Sequence, residues 1–269
     1  MGADIKALRV RIKSVDSTLH LTKAMGLVAS SKIRRANEAM KKGREYTSAL
    51  RGFVSALTLC GECEKSPYMQ TRSEELSRTR LIVIAGDRGL AGGYNANVFR
   101  LAVKYKEAQF IPIGKRACEK YRCKINSSER YTADEAYALA RTLCADFAAG
   151  EYDRLGIIST RYESMMTQTA EITWLLPLTR GVEAQPSGMI FEPDEVTVLN
   201  AVMPEYIAGM LIGAIRESFS SEVAARRMAM DSAGKNATAM IDSLQLEYNR
   251  ARQGAITQEI TEIVAGAGE

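Results

Sequence analysis

The chain has 269 residues, of which 46% are hydrophobic and 25% charged, with a formal net charge of +4. That is enough for one large domain, or for a medium domain plus an extended element. No apolar run reaches the roughly 18 residues a membrane-spanning helix needs, and Asp4 and Asp16 interrupt the basic N-terminus where a signal peptide would carry its apolar core.

The charge is unevenly spread. Residues 1–51 hold 12 basic and 4 acidic side chains, a balance of +8, whereas residues 205–269 hold 6 and 9, a balance of −3. Opposite ends of the chain can therefore attract each other, and the basic end can also face an acidic partner.

In chain order, the first 66 residues contain no proline, and none lies after Pro204; Pro67, Pro112, Pro177, Pro186, Pro193 and Pro204 all fall between. Proline costs roughly 3 kcal/mol inside a helix, so both flanks are free to form long helices. In the first flank Ile5, Leu8, Ile12, Val15, Leu19, Thr22, Gly26, Ala29, Ile33, Ala36 and Met40 recur in alternating steps of three and four. That is a coiled-coil seam, large at its ends and small in the middle, and the pattern continues through Leu50, Val54 and Leu57. A helix of this length, at about 1.5 Å per residue, measures roughly 75–80 Å.

The middle alternates apolar β-branched runs with helical spacing. Strands are expected at Leu81–Ala85, Phe110–Ile113, Leu155–Ser159 and Glu171–Leu176, with a further one at Met189–Phe191. Helices are expected at Ala96–Glu107 and at Ala133–Ala149, the second capped by Thr132 and stopped by Gly150. Alternation of this kind predicts an α/β, Rossmann-like domain with a mostly parallel sheet.

In the last flank Val223, Met230, Ala237, Leu244 and Ala251 recur every seven residues, with Ile241, Tyr248 and Ala255 at the second seam position. The simplest arrangement is a long antiparallel coiled coil of the N- and C-terminal helices; a compact bundle is the alternative. The expected domains are 1–60, an N-terminal coiled-coil helix, 61–204, the α/β domain, and 205–269, a C-terminal coiled-coil helix.

Several groups invite chemistry. Gly86-Asp87-Arg88-Gly89-Leu90-Ala91-Gly92-Gly93 follows a strand and precedes a helix, but its glycines do not keep the G-x-G-x-x-G spacing of a dinucleotide loop and the chain has no P-loop. A tight turn at the sheet's edge is expected there. Cys60 and Cys63 have redox or metal-ligand spacing, and with Cys118 and Cys123 they would supply four thiolates; plain reduced thiols, a redox pair and a zinc site are all open readings. His20 is the only histidine and lies beside the seam, which leaves His-dependent catalysis little to rest on. The basic face (Lys6, Arg9, Arg11, Lys13, Lys23, Lys32) could meet phosphates, yet no aromatic residue precedes Tyr46 to stack on bases. A coiled-coil nucleic-acid or membrane-surface binder is therefore the alternative function.

Three blocks carry a resemblance. Thr22-Lys23-Ala24-Met25 with Val28-Ala29-Ser30-Ser31-Lys32, then Asp87-Arg88-Gly89-Leu90-x-Gly92-Gly93-Tyr94-Asn95, then Ala224-Ala225-Arg226 through Tyr248-Asn249-x-Ala251-Arg252-Gln253 and Ile256-Thr257-x-Glu259-x-x-Glu262-x-x-x-Gly266-Ala267 stand in order along the chain. They resemble the gamma subunits of bacterial rotary ATP synthases. The resemblance implies a non-catalytic central-stalk rotor, without cofactor or metal, that couples ion flow through a membrane c-ring to ATP synthesis or hydrolysis at beta-subunit sites. It implies alpha, beta and epsilon subunits and the c-ring as partners, no nucleic acid, no transmembrane segment, and a peripheral place on the cytoplasmic face of the cell membrane. By the same resemblance Lys23, Met25, Arg226, Arg252, Gln253, Thr257, Glu259 and Glu262 are expected at the interface with the alpha–beta hexamer, and Asp87, Arg88 and Gly89 in the central loop. On a bearing surface the outer face of such a shaft is further expected to avoid deep apolar anchors. Arg227 stands where family members often carry Met, and the family's chloroplast cysteine insertion has no counterpart at Cys60 and Cys63.

Overall fold

The computed structural model describes residues 2–70, 78–180 and 190–266. Among them run α1 (Gly2–Thr58), β1 (Thr79–Ile84), α2 (Tyr94–Ala102), β2 (Gln109–Ile113), α3 (Lys115–Tyr121), α4 (Ala133–Ala148), β3 (Arg154–Tyr162), β4 (Gln168–Leu176) and α5 (Glu195–Gly266). They form two compact units, one built on residues up to Ser30 and from Arg226 onward, the other on residues 31–225.

In the first unit α1 and α5 pair antiparallel. The Arg9 guanidinium donates to the Tyr248 hydroxyl at 2.8 Å, and farther along the pair Gly26 faces Met230. Leu19, Thr22 and Ala29 on α1, and Met230, Ala237 and Leu244 on α5, are buried in the seam that the heptads predict. The small middle of that seam leaves room: a Cβ on Gly26 would meet the Met230 Cβ at 3.6 Å, ordinary van der Waals contact. Gly26→Ala is therefore expected to stabilise the pair by about 0.5–1 kcal/mol, the helix-propensity gain. Chemical denaturation of the full chain checks this, and a loss of stability would show that the seam is closer than this geometry.

The second unit holds the sheet, in the order β2-β1-β3-β4. β1 pairs parallel with β2 and with β3, while β3 and β4 form an antiparallel hairpin. Side chains alternate across β1. Leu81 and Val83 pack with Val98 and Ala102 of α2 on one face. Ile82 and Ile84 pack on the other with Ala140, Leu143 and Phe147 of α4, Val54 and Leu57 of α1, and the start of α5. The cap of α4 is as its sequence predicts: Thr132 accepts from the Glu135 amide, and the Glu135 carboxylate accepts from the Thr132 amide.

Three expectations need correction. α5 begins at Glu195 and carries Pro204 inside it. The missing amide costs the helix a bond, but Leu199, Met203, Ile207, Leu211 and Ile215 of the same face are buried in the core, and that burial outweighs it. The start signal was Asp194, whose carboxylate accepts from the Thr197 amide at 2.8 Å and from its hydroxyl at 2.7 Å. α5 is also long and apolar enough to cross a membrane, with a window of mean hydropathy 1.6, but half of that window is buried inside the protein. Met189 and Pro186 lie outside the described residues; Ile190 and Phe191 form no strand, and the Phe191 ring packs edge-on against Phe53 at 6.1 Å. Finally, short α3 fills a stretch for which no helix was expected.

Candidate coupling surface

Within the first unit the residues expected at a subunit interface lie on the outside of the helix pair. Lys23 is exposed and Met25 half-buried on α1; Arg226 is half-buried on α5. Thr22, Lys23, Gly26, Arg227 and Met230 line an open cavity of about 440 Å³ where the small residues leave the seam shallow. Beside it Asp231 forms an ion pair with Lys235 at 2.8 Å, whose hydrogen bond holds the carboxyl below the usual carboxylate range.

Arg252, Gln253, Thr257, Glu259 and Glu262 are all exposed. The register explains why. Arg9 lies against Tyr248, so α1 runs out as α5 reaches Ala255, the last half-buried seam position. Residues 256–266 of α5 are exposed on every side yet still helical. The bonds found there are local, such as Thr257 hydroxyl to the Gln253 carbonyl at 2.9 Å and Gln258 to Glu262 at 2.9 Å. This end carries Ile256, Ile260, Ile263 and Val264, the last two 70% and 67% exposed, and on α1 Leu21, Leu27 and Val28 are similarly bare. The expectation that the outer face avoids apolar anchors is thus wrong. These residues were missed because a seam search discards apolar residues that fall off the heptad; their spacing at 256, 260, 263 and 264 was the available signal.

The central loop lies in the second unit, at the C-terminal end of β1. That strand is interior, so the loop is no edge turn. Asp87 turns inward. It accepts from the amides of Lys115 at 3.0 Å, Ser128 at 2.9 Å and Glu129 at 3.2 Å, from the Ser128 hydroxyl at 3.3 Å, and from the Ser127 hydroxyl. Burial acts to raise its pKa, but the Ser127 hydroxyl and the three amides outweigh it and hold the carboxyl below its usual range. Asn95 accepts from the Gly86 amide at 2.9 Å and donates to the Arg88 carbonyl at 3.3 Å, while the Arg88 side chain is exposed.

A parallel sheet of this order offers a nucleotide crevice where the chain switches sides, here between β1 and β3. α5 fills it. Ser218 accepts from the Thr160 amide at 3.1 Å, Ser221 donates to the Thr160 carbonyl at 3.2 Å, and the buried Glu222 carboxylate lies so close to Gly86 that a Cβ there would stand 2.6 Å from it. A packed carboxylate in the crevice excludes a phosphate by volume and by charge.

Cys60 is half-buried and Cys63 fully buried; burial first, then the neighbouring Cys60 and acidic groups, push the Cys63 thiol up to about 11. A thiol so placed is a weak nucleophile at neutral pH. His20 is exposed, 3.7 Å from Asp16. Among the described residues no three His, Cys, Asp or Glu side chains gather as a metal site requires.

Comparison with known proteins converges on one family. A family model described as ATP synthase matches residues 4–268. The ATP synthase gamma chain of Xanthomonas campestris pv. campestris is 37% identical over 97% of this chain and 98% of its own length. That of Synechococcus sp. is 34% identical over 98% of both. In structure the chain resembles one from the Euglena gracilis mitochondrial ATP synthase, with TM-score 0.69, 17% identity and coverage of 98% of this chain and 94% of that one. It also resembles one from the central stalk and c-ring of the Tetrahymena thermophila mitochondrial ATP synthase, with TM-score 0.60, 21% identity and coverage of 79% and 99%.

Proposed function

The chain belongs to the ATP synthase gamma chain family, and from that premise we propose how it couples rotation to catalysis. It is a central-stalk subunit of a membrane-associated complex, and it is not catalytic on its own. The coiled-coil nucleic-acid or membrane-surface reading has no support beside a family match that spans the chain.

Our reading is that the helix pair enters a hexamer of alpha and beta subunits, and that the sheet-bearing domain stays outside it with the epsilon subunit and the c-ring. The complex then stands on the cytoplasmic face of the cell membrane. The observation that carries the reading is the end of α5, where a helix outruns its partner with Ile256, Ile260, Ile263 and Val264 bare. A helix whose apolar stripe has no cover among the described residues is suited to a surrounding protein sleeve. Lys23, Met25, Arg226, Arg252, Gln253, Thr257, Glu259 and Glu262 are proposed to touch the hexamer, and Asp87, Arg88 and Gly89 to shape the domain's loop. The shaft is then the helix pair of residues up to Ser30 and from Arg226 onward and the head is residues 31–225, so the divisions expected at 60 and 205 fall within the head. Because the shaft differs from side to side, each beta subunit meets a different face at each angle, and its nucleotide affinity follows that contact.

The test is co-expression with cognate alpha and beta subunits, followed by ATPase assay with and without this chain. One copy incorporated per hexamer with strongly stimulated turnover supports the reading; failure to join the hexamer, with activity unchanged, overturns it. Gln253→Ala combined with Glu259→Ala should lower the assembled ATPase by about tenfold, the effect of roughly 1.4 kcal/mol of lost differential contact. These side chains are exposed, so the unfolding free energy of the isolated chain should move by no more than about 0.5 kcal/mol. Equal losses of stability and activity would assign them a structural role instead.

A further inference from the structure

Two of the cysteines meet at the end of α3, and the coupling account uses neither. α3 closes at Arg122, in the left-handed region at φ 52°, ψ 47°. The Cys123 amide then donates to the Cys118 carbonyl at 3.1 Å. This six-to-one bond is a Schellman closure, which sets the side chains of the two residues it joins against each other. Each thiol donates to a backbone carbonyl, Cys118 to Pro112 at 3.8 Å and Cys123 to Lys124 at 3.4 Å, and the neighbouring Cys123 adds to the burial that raises the Cys118 thiol. A turn that bonds the two backbones also keeps their Cα atoms within the roughly 4.4–6.8 Å that a disulfide spans.

The pair is asymmetric. Cys118 is fully buried, and burial pushes its thiol up to about 11, whereas Cys123 is exposed. Cys123 is the sulfur that an oxidant in solution reaches, and Cys118 waits behind it.

We infer that Cys118 and Cys123 form a reversible oxidation site, closed to an intrachain disulfide by a hydroperoxide. The Cys123 thiolate attacks the peroxide oxygen; the O–O bond breaks, the alcohol or water leaves, and Cys123 becomes a sulfenic acid. The Cys118 sulfur then attacks the Cys123 sulfur, the S–O bond breaks, and water departs with the Cys118 proton. Two thiols are oxidised by two electrons and one peroxide is reduced. A dithiol reductant reverses the closure.

The bond would act on the central loop's anchorage. The segment leaving Cys123 carries Asn126, which accepts from the Gly114 amide at 2.7 Å, and Ser127, Ser128 and Glu129, which hold Asp87. Oxidation would tie that anchor covalently to the end of α3.

The experiment treats the full chain, assembled with its alpha and beta subunits, with hydrogen peroxide, then alkylates the free thiols and maps them by mass spectrometry. The expected result is a peptide linking Cys118 to Cys123 that has lost two hydrogens and is restored by dithiothreitol. Cys123→Ser should abolish the link. Cys118→Ala or Cys118→Ser should leave a sulfenic acid on Cys123 that a dimedone-type reagent traps. The inference is overturned if both thiols remain alkylatable, if Cys60 and Cys63 form the disulfide instead, or if Cys118 replacement leaves the fate of Cys123 unchanged.

Discussion

Gly114→Ala is expected to prevent the sheet-bearing unit from folding. Gly114 follows β2 with φ +97°, a conformation that strains any residue with a Cβ. A Cβ there would also fall 1.9 Å from the Ala85 carbonyl oxygen and 2.9 Å from its carbon. Those atoms are backbone at the end of β1, held by the bond from the Ala85 amide to the Ile113 carbonyl at 2.9 Å, so no side chain can swing aside. Strain and overlap together should cost more than about 4 kcal/mol, a large part of a domain's stability. Thermal unfolding of the full chain checks it. Gly52→Ala is the control, since nothing lies within 4 Å of a Cβ there; it should match or exceed the parent by up to about 1 kcal/mol. A Gly114→Ala variant as stable as the control would mean that this turn is not the one described.

Asp87→Ala should be the next most damaging change. Five donors converge on this carboxylate. Truncation leaves the amides of Lys115, Ser128 and Glu129 without their acceptor and frees the ends of two segments from the loop after β1. A loss of about 3 kcal/mol is expected, which for a domain of this size lowers Tm by roughly 6–12 °C. The pH dependence follows from the direction of the shift. The folded pKa is depressed, so the carboxylate's contribution is fully present above the unfolded value of about 3.9 and is lost as pH falls through the lower folded value. The gap in stability between parent and Asp87→Asn should thus be wide at neutral pH and close below about pH 4. A gap that stayed constant from neutral to acid pH would contradict this assignment.

Different parts of the molecule were legible to different degrees. The seam could be read because a heptad is local arithmetic, and each expected position on α1 from Ile5 to Met40 is buried or half-buried. The cap at Thr132 was equally plain, and the structure adds Glu135, one turn on, as the other half of a capping box. Pro204 misled because its penalty is local, whereas the burial that offsets it comes from α4, α1 and the sheet. The role of Asp87 was hidden for the same reason: its partners lie 28 to 42 residues away, and no local spacing announces them. At the end of α5 the sequence named the polar residues through family resemblance, but the bare apolar stripe needed the register, which shows where α1 runs out.

The most direct test of the account is to watch the rotor turn. The complex of alpha and beta subunits with this chain is fixed to a surface through the hexamer, a marker is attached to the sheet-bearing domain, and ATP is added. The account predicts that the marker turns in one direction while ATP is consumed and stops when ATP is exhausted. A marker that stayed still while the same molecules hydrolysed ATP at the full stimulated rate would contradict it.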